Sequence, residues 1–161
     1  MSDRQRQQAG PQGEEPTIPL RMEPGAALRP RRHVYAAVEL FLFSASGWHP
    51  HRVHYDQGYT RDVEHHDDIL VHGPLQAVHL FQALTSQLPP GCRLGSVSYR
   101  HLGALHVGEP VTISGGVTEL DSEEGIATVE MWMGKDASGQ RTTAGTALVV
   151  LGPEPEGESD R

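Results

Sequence analysis

The sequence predicts an α+β fold in which one antiparallel sheet wraps around a single central helix. Three observations predict it. Residues 73–88 carry apolar side chains at helical spacing, and no other stretch does so as well. Four later stretches are short, rich in β-branched residues and separated by turn signals. The chain has 161 residues, which fits one domain on the usual scale of roughly 100–200 residues.

Each element follows in order. Residues 1–32 are rich in Arg, Gln, Gly, Pro and Glu with scattered apolar residues, which predicts a flexible arm. Within it, residues 17–20 suit an extended segment lying along a partner surface. Residues 34–44 (VYAAVELFLFS) are apolar between polar flanks and read as a buried strand. Residues 46–68 are polar and His-rich, a loop with one short helix. In residues 73–88, Ala77, Phe81, Leu84 and Leu88 form one stripe flanked by Val78 and Leu80. Pro74 suits the first turn, where a missing N–H costs nothing, and Pro89-Pro90-Gly91 stops the helix. Strands follow at 94–100, 110–120, 126–134 and 141–151, with hairpin turns at 121–125 and 135–139. Residues 152–161 form an acidic, Pro-punctuated tail, leaving 33–151 as the folded domain. A sheet curled on one helix is the hot-dog arrangement. A lone helix leaves a sheet edge unpaired, so the expected assembly is a homodimer or higher homo-oligomer with a continuous sheet.

Composition excludes several functions. The formal charge is −8, and residues 33–151 hold six basic against thirteen acidic side chains. A nucleic-acid partner requires a basic face, which this segment does not offer. No run approaches the ~18 apolar residues of a membrane span, and the N-terminus lacks the apolar core of a signal peptide, which predicts a cytoplasmic protein. The single cysteine, Cys92, excludes an internal disulfide or a cysteine-built zinc cage. Histidine stands out: ten copies, seven of them between His49 and His79. Imidazole is the side chain best suited to proton transfer near neutral pH.

The chemistry concentrates in two runs. In the first, His49-Pro50-His51-Arg52-Val53-His54-Tyr55-Asp56, an aspartate two places after His54 can fix an imidazole tautomer and leave the other nitrogen to move protons. The second, Val71-His72-Gly73-Pro74-Leu75, opens the helix. Free N–H groups and the positive dipole end point outward there, and Gly73 lets a ligand carbonyl approach closely. Such a site stabilises the enolate-like oxygen that forms when a proton leaves the carbon beside a thioester.

These runs resemble the type 2 hydroxyacyl-thioester dehydratases, a branch of the MaoC-like hydratase/dehydratase superfamily. The family pattern is approximately Asn-x-His-Arg-Ile-His-Tyr-Asp, then a Tyr, then Val-His-Gly-Pro-Leu. The chain supplies His49 through Asp56, then Tyr59, then Val71 through Leu75. Tyr99-Arg100 and Leu105 through Gly108-Glu109 are similar to the family's Tyr-Arg-x-Leu-x-Pro-Leu-x-x-Gly-Glu segment. The likeness covers about residues 34–150. It implies a hot-dog fold and reversible hydration of an enoyl thioester. His54 would be the catalytic histidine, Gly73 the backbone donor to the thioester carbonyl, and Asp56 a supporting carboxylate. Trp48, His51, Arg52, Tyr55 and His72 would line the substrate site. No metal and no cofactor is implied, the acyl group being carried on coenzyme A or phosphopantetheine. The chain departs from the pattern at His49, where the superfamily has Asp or Asn to hold or activate water. A neutral imidazole can accept through one nitrogen and donate through the other, so His49 and His54 would share the acid and base roles. Ala104 stands where the family usually has Pro.

Other readings compete. His49, His51 and His54, with His65-His66-Asp67-Asp68, can be gathered around zinc, nickel or iron, but the glutamate and second His-bearing strand of a metal-binding barrel are missing. The scaffold can bind an acyl thioester or another small molecule without turnover, or serve a specialised biosynthetic elimination or isomerisation altered at His49. The acidic domain favours coenzyme A over an acidic carrier protein, with Arg52, Arg93 and Arg100 as phosphate candidates. His79 reads as a packed or surface histidine, and His101 and His106 receive no role.

Overall fold

The computed structural model describes residues 19–152. Five strands form one antiparallel sheet: β1 (Arg31–Val34), β2 (Arg93–His101), β3 (Pro110–Asp121), β4 (Ile126–Lys135) and β5 (Arg141–Val150), in the order β1-β3-β4-β5-β2. Three helices precede β2: α1 (Ala37–Ser46), α2 (Gln57–Asp62) and α3 (Gly73–Thr85). A 3-10 turn at Arg52–His54 lies between α1 and α2.

The register explains the core. Val111, Ile113 and Val117 of β3, Ala127, Val129, Met131 and Met133 of β4, and Ala147 and Val149 of β5 alternate onto one buried face. α3 lies on that face. Its buried stripe is Leu75, Ala77, Leu80, Ala83 and Leu84. Ala77 and Leu84 of the expected stripe are buried, Phe81 is half-buried, and Val78 is exposed. Gly145 makes room for the helix: a Cβ there would stand 3.3 Å from Leu80 Cδ2 and 2.8 Å from the Ser98 carbonyl oxygen.

Two expectations are corrected. The strand expected at residues 34–44 is mostly a helix. Only its first residue closes β1, and α1 occupies 37–46 with just Leu40 and Ser44 buried. These two are four apart, one turn of helix, so only a narrow line of α1 meets the core. Val38, Phe41 and Leu42 face outward. The arm expected through residue 32 is anchored on the domain from Leu20 onward. Leu20 and Leu28 are buried in the core. The Gly25 and Leu28 amides donate to the carbonyls of Val117 and Gly115, and Leu20 N–H to the Gln87 carbonyl. Gln87 also bonds both backbone groups of Arg29. This strap and β1 cover the β3 edge, so the folded unit begins before residue 33. The remainder of the expected arm and nearly all of the acidic tail lie outside the described residues.

Candidate active site

The site is built where the polar loop meets the start of α3. Residues 69–71 form a short extended link held on two sides. Val71 N–H donates to the Leu105 carbonyl and Val107 N–H to that of Ile69. On the other side Leu70 N–H donates to the Val53 carbonyl, and His54 Nδ1 lies 2.9 Å from the Leu70 carbonyl oxygen. A carbonyl only accepts, so Nδ1 carries the proton of the neutral ring and Nε2 presents a free lone pair. Burial, in part offset by the Leu70 bond, holds the His54 pKa below its ordinary value, and the neighbouring His49 and His51 lower it further. His54 is therefore neutral at physiological pH, with the orientation of its ring fixed by the backbone.

Asp56 does not perform that task. It caps α2 by accepting from Tyr59 N–H at 3.0 Å and pairs with Arg52 at 2.7 Å. These bonds, the backbone one first, hold its carboxyl below the usual range. The sequence spacing that suggested a His–Asp pair instead serves an i,i+4 Arg–Asp pair and a helix cap. Arg52 is bound to Asp56 and lies 4.1 Å over the Tyr59 ring. Tyr55 donates its hydroxyl to the Pro50 carbonyl, which braces the loop. His51 is exposed beside them.

His72 precedes α3 and is fully buried. Its ring stacks on His54 at 3.7 Å, meets Phe43 edge-on at 4.8 Å, and lies 5.9 Å from His49. Ser44 Oγ is 2.8 Å from His72 Nε2, while Nδ1 is buried with no partner. Burial, then His54 and His49, push its pKa down to about 4. The structure thus brings His49, His54 and His72 together beside Gly73, the first residue of α3. By helix geometry the first-turn amides have no acceptor within the helix and carry the positive end of its dipole.

Next to His49 an apolar cleft of about 220 Å³ is walled by Phe41, Ala45, Trp48, Pro50 and Tyr55. Trp48 follows the Gly47 cap of α1 with φ 52°, a left-handed backbone that costs a bulky residue energy, and its side chain is 89% exposed. A larger groove of about 380 Å³ involves Arg100, Trp132, Arg141 and Thr146 and shares no residue with this site.

One residue was missed. His101, at the end of β2, packs on Gly73: a Cβ built on Gly73 would run into its ring, with Cε1 at 2.8 Å. Thr143 donates its single proton to Gln76 Oε1, so His101 Nδ1, 3.1 Å from Thr143 Oγ1, donates to Thr143. His101 thereby rests its ring against the helix start. Local sequence holds no trace of this, because strand β2 and helix α3 meet only in the fold. Of the loop residues weighed for a metal, Asp68 is engaged by Gln57, Arg61 and the Ile69 amide, while His54 is bonded to Leu70 through Nδ1 alone.

The comparisons agree with this architecture. The family profile of hydroxyacyl-thioester dehydratase type 2 matches residues 5–107. The mitochondrial hydroxyacyl-thioester dehydratase type 2 of Saccharomyces cerevisiae is 27% identical over 94 residues, covering 58% of this chain and 32% of that protein. Mesaconyl-C(4)-CoA hydratase of Chloroflexus aurantiacus is 46% identical over 43 residues, covering 27% and 15%. The chain thus spans no more than about a third of the length of these curated relatives. Among solved structures, the (R)-hydratase from A. caviae involved in PHA biosynthesis superposes with TM-score 0.71 and 26% identity over 80% of this chain and 96% of that one. The MaoC-like dehydratase from Rhodospirillum rubrum shares the fold, with TM-score 0.67 and 17% identity over 83% and 94%. The fold is the expected hot-dog. Since the profile covers well over half of the sequence and takes in His49, His54 and Gly73, the chain belongs to the hydroxyacyl-thioester dehydratase type 2 family.

Proposed function

We propose that the protein interconverts a 3-hydroxyacyl thioester and the corresponding enoyl thioester by adding or removing water. The observation that carries this reading is the His54 tautomer: Nδ1 is bound to the Leu70 carbonyl, and Nε2 is free beside the α3 start. In the dehydration direction, Nε2 takes the proton from the carbon next to the thioester carbonyl. The electron pair moves into the carbonyl, whose oxygen accepts from the Gly73 amide and the helix dipole. The enolate then expels the hydroxyl from the third carbon as water, with His49 supplying the proton as an imidazolium and ending neutral, while His54 holds the proton taken from carbon. The apolar cleft beside His49 suits the acyl chain, with Trp48 and Tyr55 as walls. His72 holds the pocket's floor through Ser44 and Phe43 and stays neutral. Coenzyme A or a phosphopantetheine arm would carry the acyl group.

The test is a His54→Gln variant assayed by loss of the conjugated enoyl absorbance, with coenzyme A and carrier-protein thioesters in separate arms. Removing a general base is expected to cut kcat about 100- to 10,000-fold with the thermal midpoint unchanged. Equal turnover of wild type and variant would overturn the assignment of His54. Tight binding of saturated and unsaturated thioesters with no hydration by either protein would make this a binding module.

A further inference from the structure

The structure holds a second constellation of titratable side chains, which the reaction does not use. We propose that His33, Glu39 and His79 form a three-ligand site for a divalent transition-metal ion of the zinc class. His33 Nε2 lies 3.2 Å from Glu39 Oε2, and His79 Nε2 lies 3.4 Å from Glu39 Oε1. All three ligand atoms fall within 4.8 Å of one another. An ion with bonds of about 2.0–2.1 Å at the centre of a tetrahedron keeps its ligands roughly 3.3 Å apart. The two separations to the Glu39 carboxylate, one to each oxygen, are close to that edge. Two imidazole nitrogens and one carboxylate select zinc, cobalt or nickel over magnesium or calcium, which take oxygen donors.

The ligands come from three elements, β1, α1 and α3, and their rings are held from behind. Tyr35 meets His33 edge-on at 4.5 Å and stacks on His79 at 5.1 Å. The side chains of His33 and Glu39 remain 26% and 30% exposed, which leaves an open position for water as the fourth ligand. Without an ion, Glu39 accepts from His33 Nε2 and keeps its other oxygen 3.4 Å from His79 Nε2. Glu39 and Ser44 sit on α1, His79 on α3 and His72 just before it, so an ion here ties α1 to α3, which also meet through Ser44 and His72.

The test uses the full chain without a histidine tag and does not depend on turnover. One Co2+ per chain is expected to bind with the visible absorption of a low-coordinate site, and Zn2+ is expected to raise the thermal midpoint by mass action. His33→Gln and Glu39→Gln should each weaken Zn2+ binding by about tenfold or more and abolish the shift, because loss of even an outer-sphere partner costs this much. A His65→Gln/His66→Gln variant, which removes one exposed and one half-buried histidine elsewhere in the fold, should keep both. Wild type binding Zn2+ no more tightly than His33→Gln, or losing the shift in the His65/His66 variant instead, would overturn the proposal. His33→Gln carries the test if His79→Gln fails to fold, since His33 lies on an edge strand.

Discussion

His72 brings an imidazole into a place with no solvent and gives only one of its nitrogens a partner, Ser44. Its depressed pKa ties stability to pH. Between an ordinary value of 6.5 and about 4, the unfolded chain binds a proton that the folded chain does not. Stability therefore rises with pH across that window and is lost as the pH falls through it. The share from this ring is roughly 3 kcal/mol. Urea unfolding at pH 7 and pH 4.5 should show a smaller loss in His72→Gln than in wild type, and equal losses would refute the role. On its acidic side the catalytic rate should behave similarly: His54 is held below its ordinary pKa, so protonation of this base lowers activity only at pH values under the ordinary one. At this scale the sequence was informative about identity and misleading about partners. That His49, His54 and Gly73 belong to one place was legible because their order and spacing are local. The partner of His54 was not, since a backbone carbonyl sixteen residues away has no side-chain signature.

At the level of elements, α3 and strands β2 to β5 were legible because their periodicities are long and clean. α1 was not. Its eleven-residue apolar stretch is too short for periodicity to separate a buried strand from a helix, and the actual strand, β1, is written in Arg and His as an edge strand often is. The start of α3 yields a prediction. Gly73→Ala places a methyl against the His101 ring, and the helix start must move. It should cost about 1–3 kcal/mol of stability and lower kcat/KM. His101→Ala opens that space, so the double variant should be more stable than Gly73→Ala alone. Urea unfolding of the four proteins forms the cycle, and strict additivity would show that the two residues do not meet.

The molecule as a whole ends its sheet at β2, whose Val97 and Tyr99 are each 45% exposed with one side of the strand unpaired. Pairing β2 with its copy would extend the sheet across two chains. Sedimentation should give about twice 17.6 kDa, and Val97→Lys should shift the population to monomer; a wild-type monomer at micromolar concentration would remove this expectation. The arm was misjudged at this scale because composition describes a segment in isolation, whereas Leu20 and Leu28 find their backbone partners at Gln87, just past α3, and at Gly115 of β3. That strap sets an order of events during synthesis. Ala27 bridges Gly116, and Leu28 donates to the carbonyl of Gly115, so the first described residues to leave the ribosome wait for some of the last. At about 5–20 residues per second the delay is on the order of ten seconds. Throughout it two leucines that belong in the core are bare, and this interval is when a nascent chain is most open to chaperone capture or to aggregation.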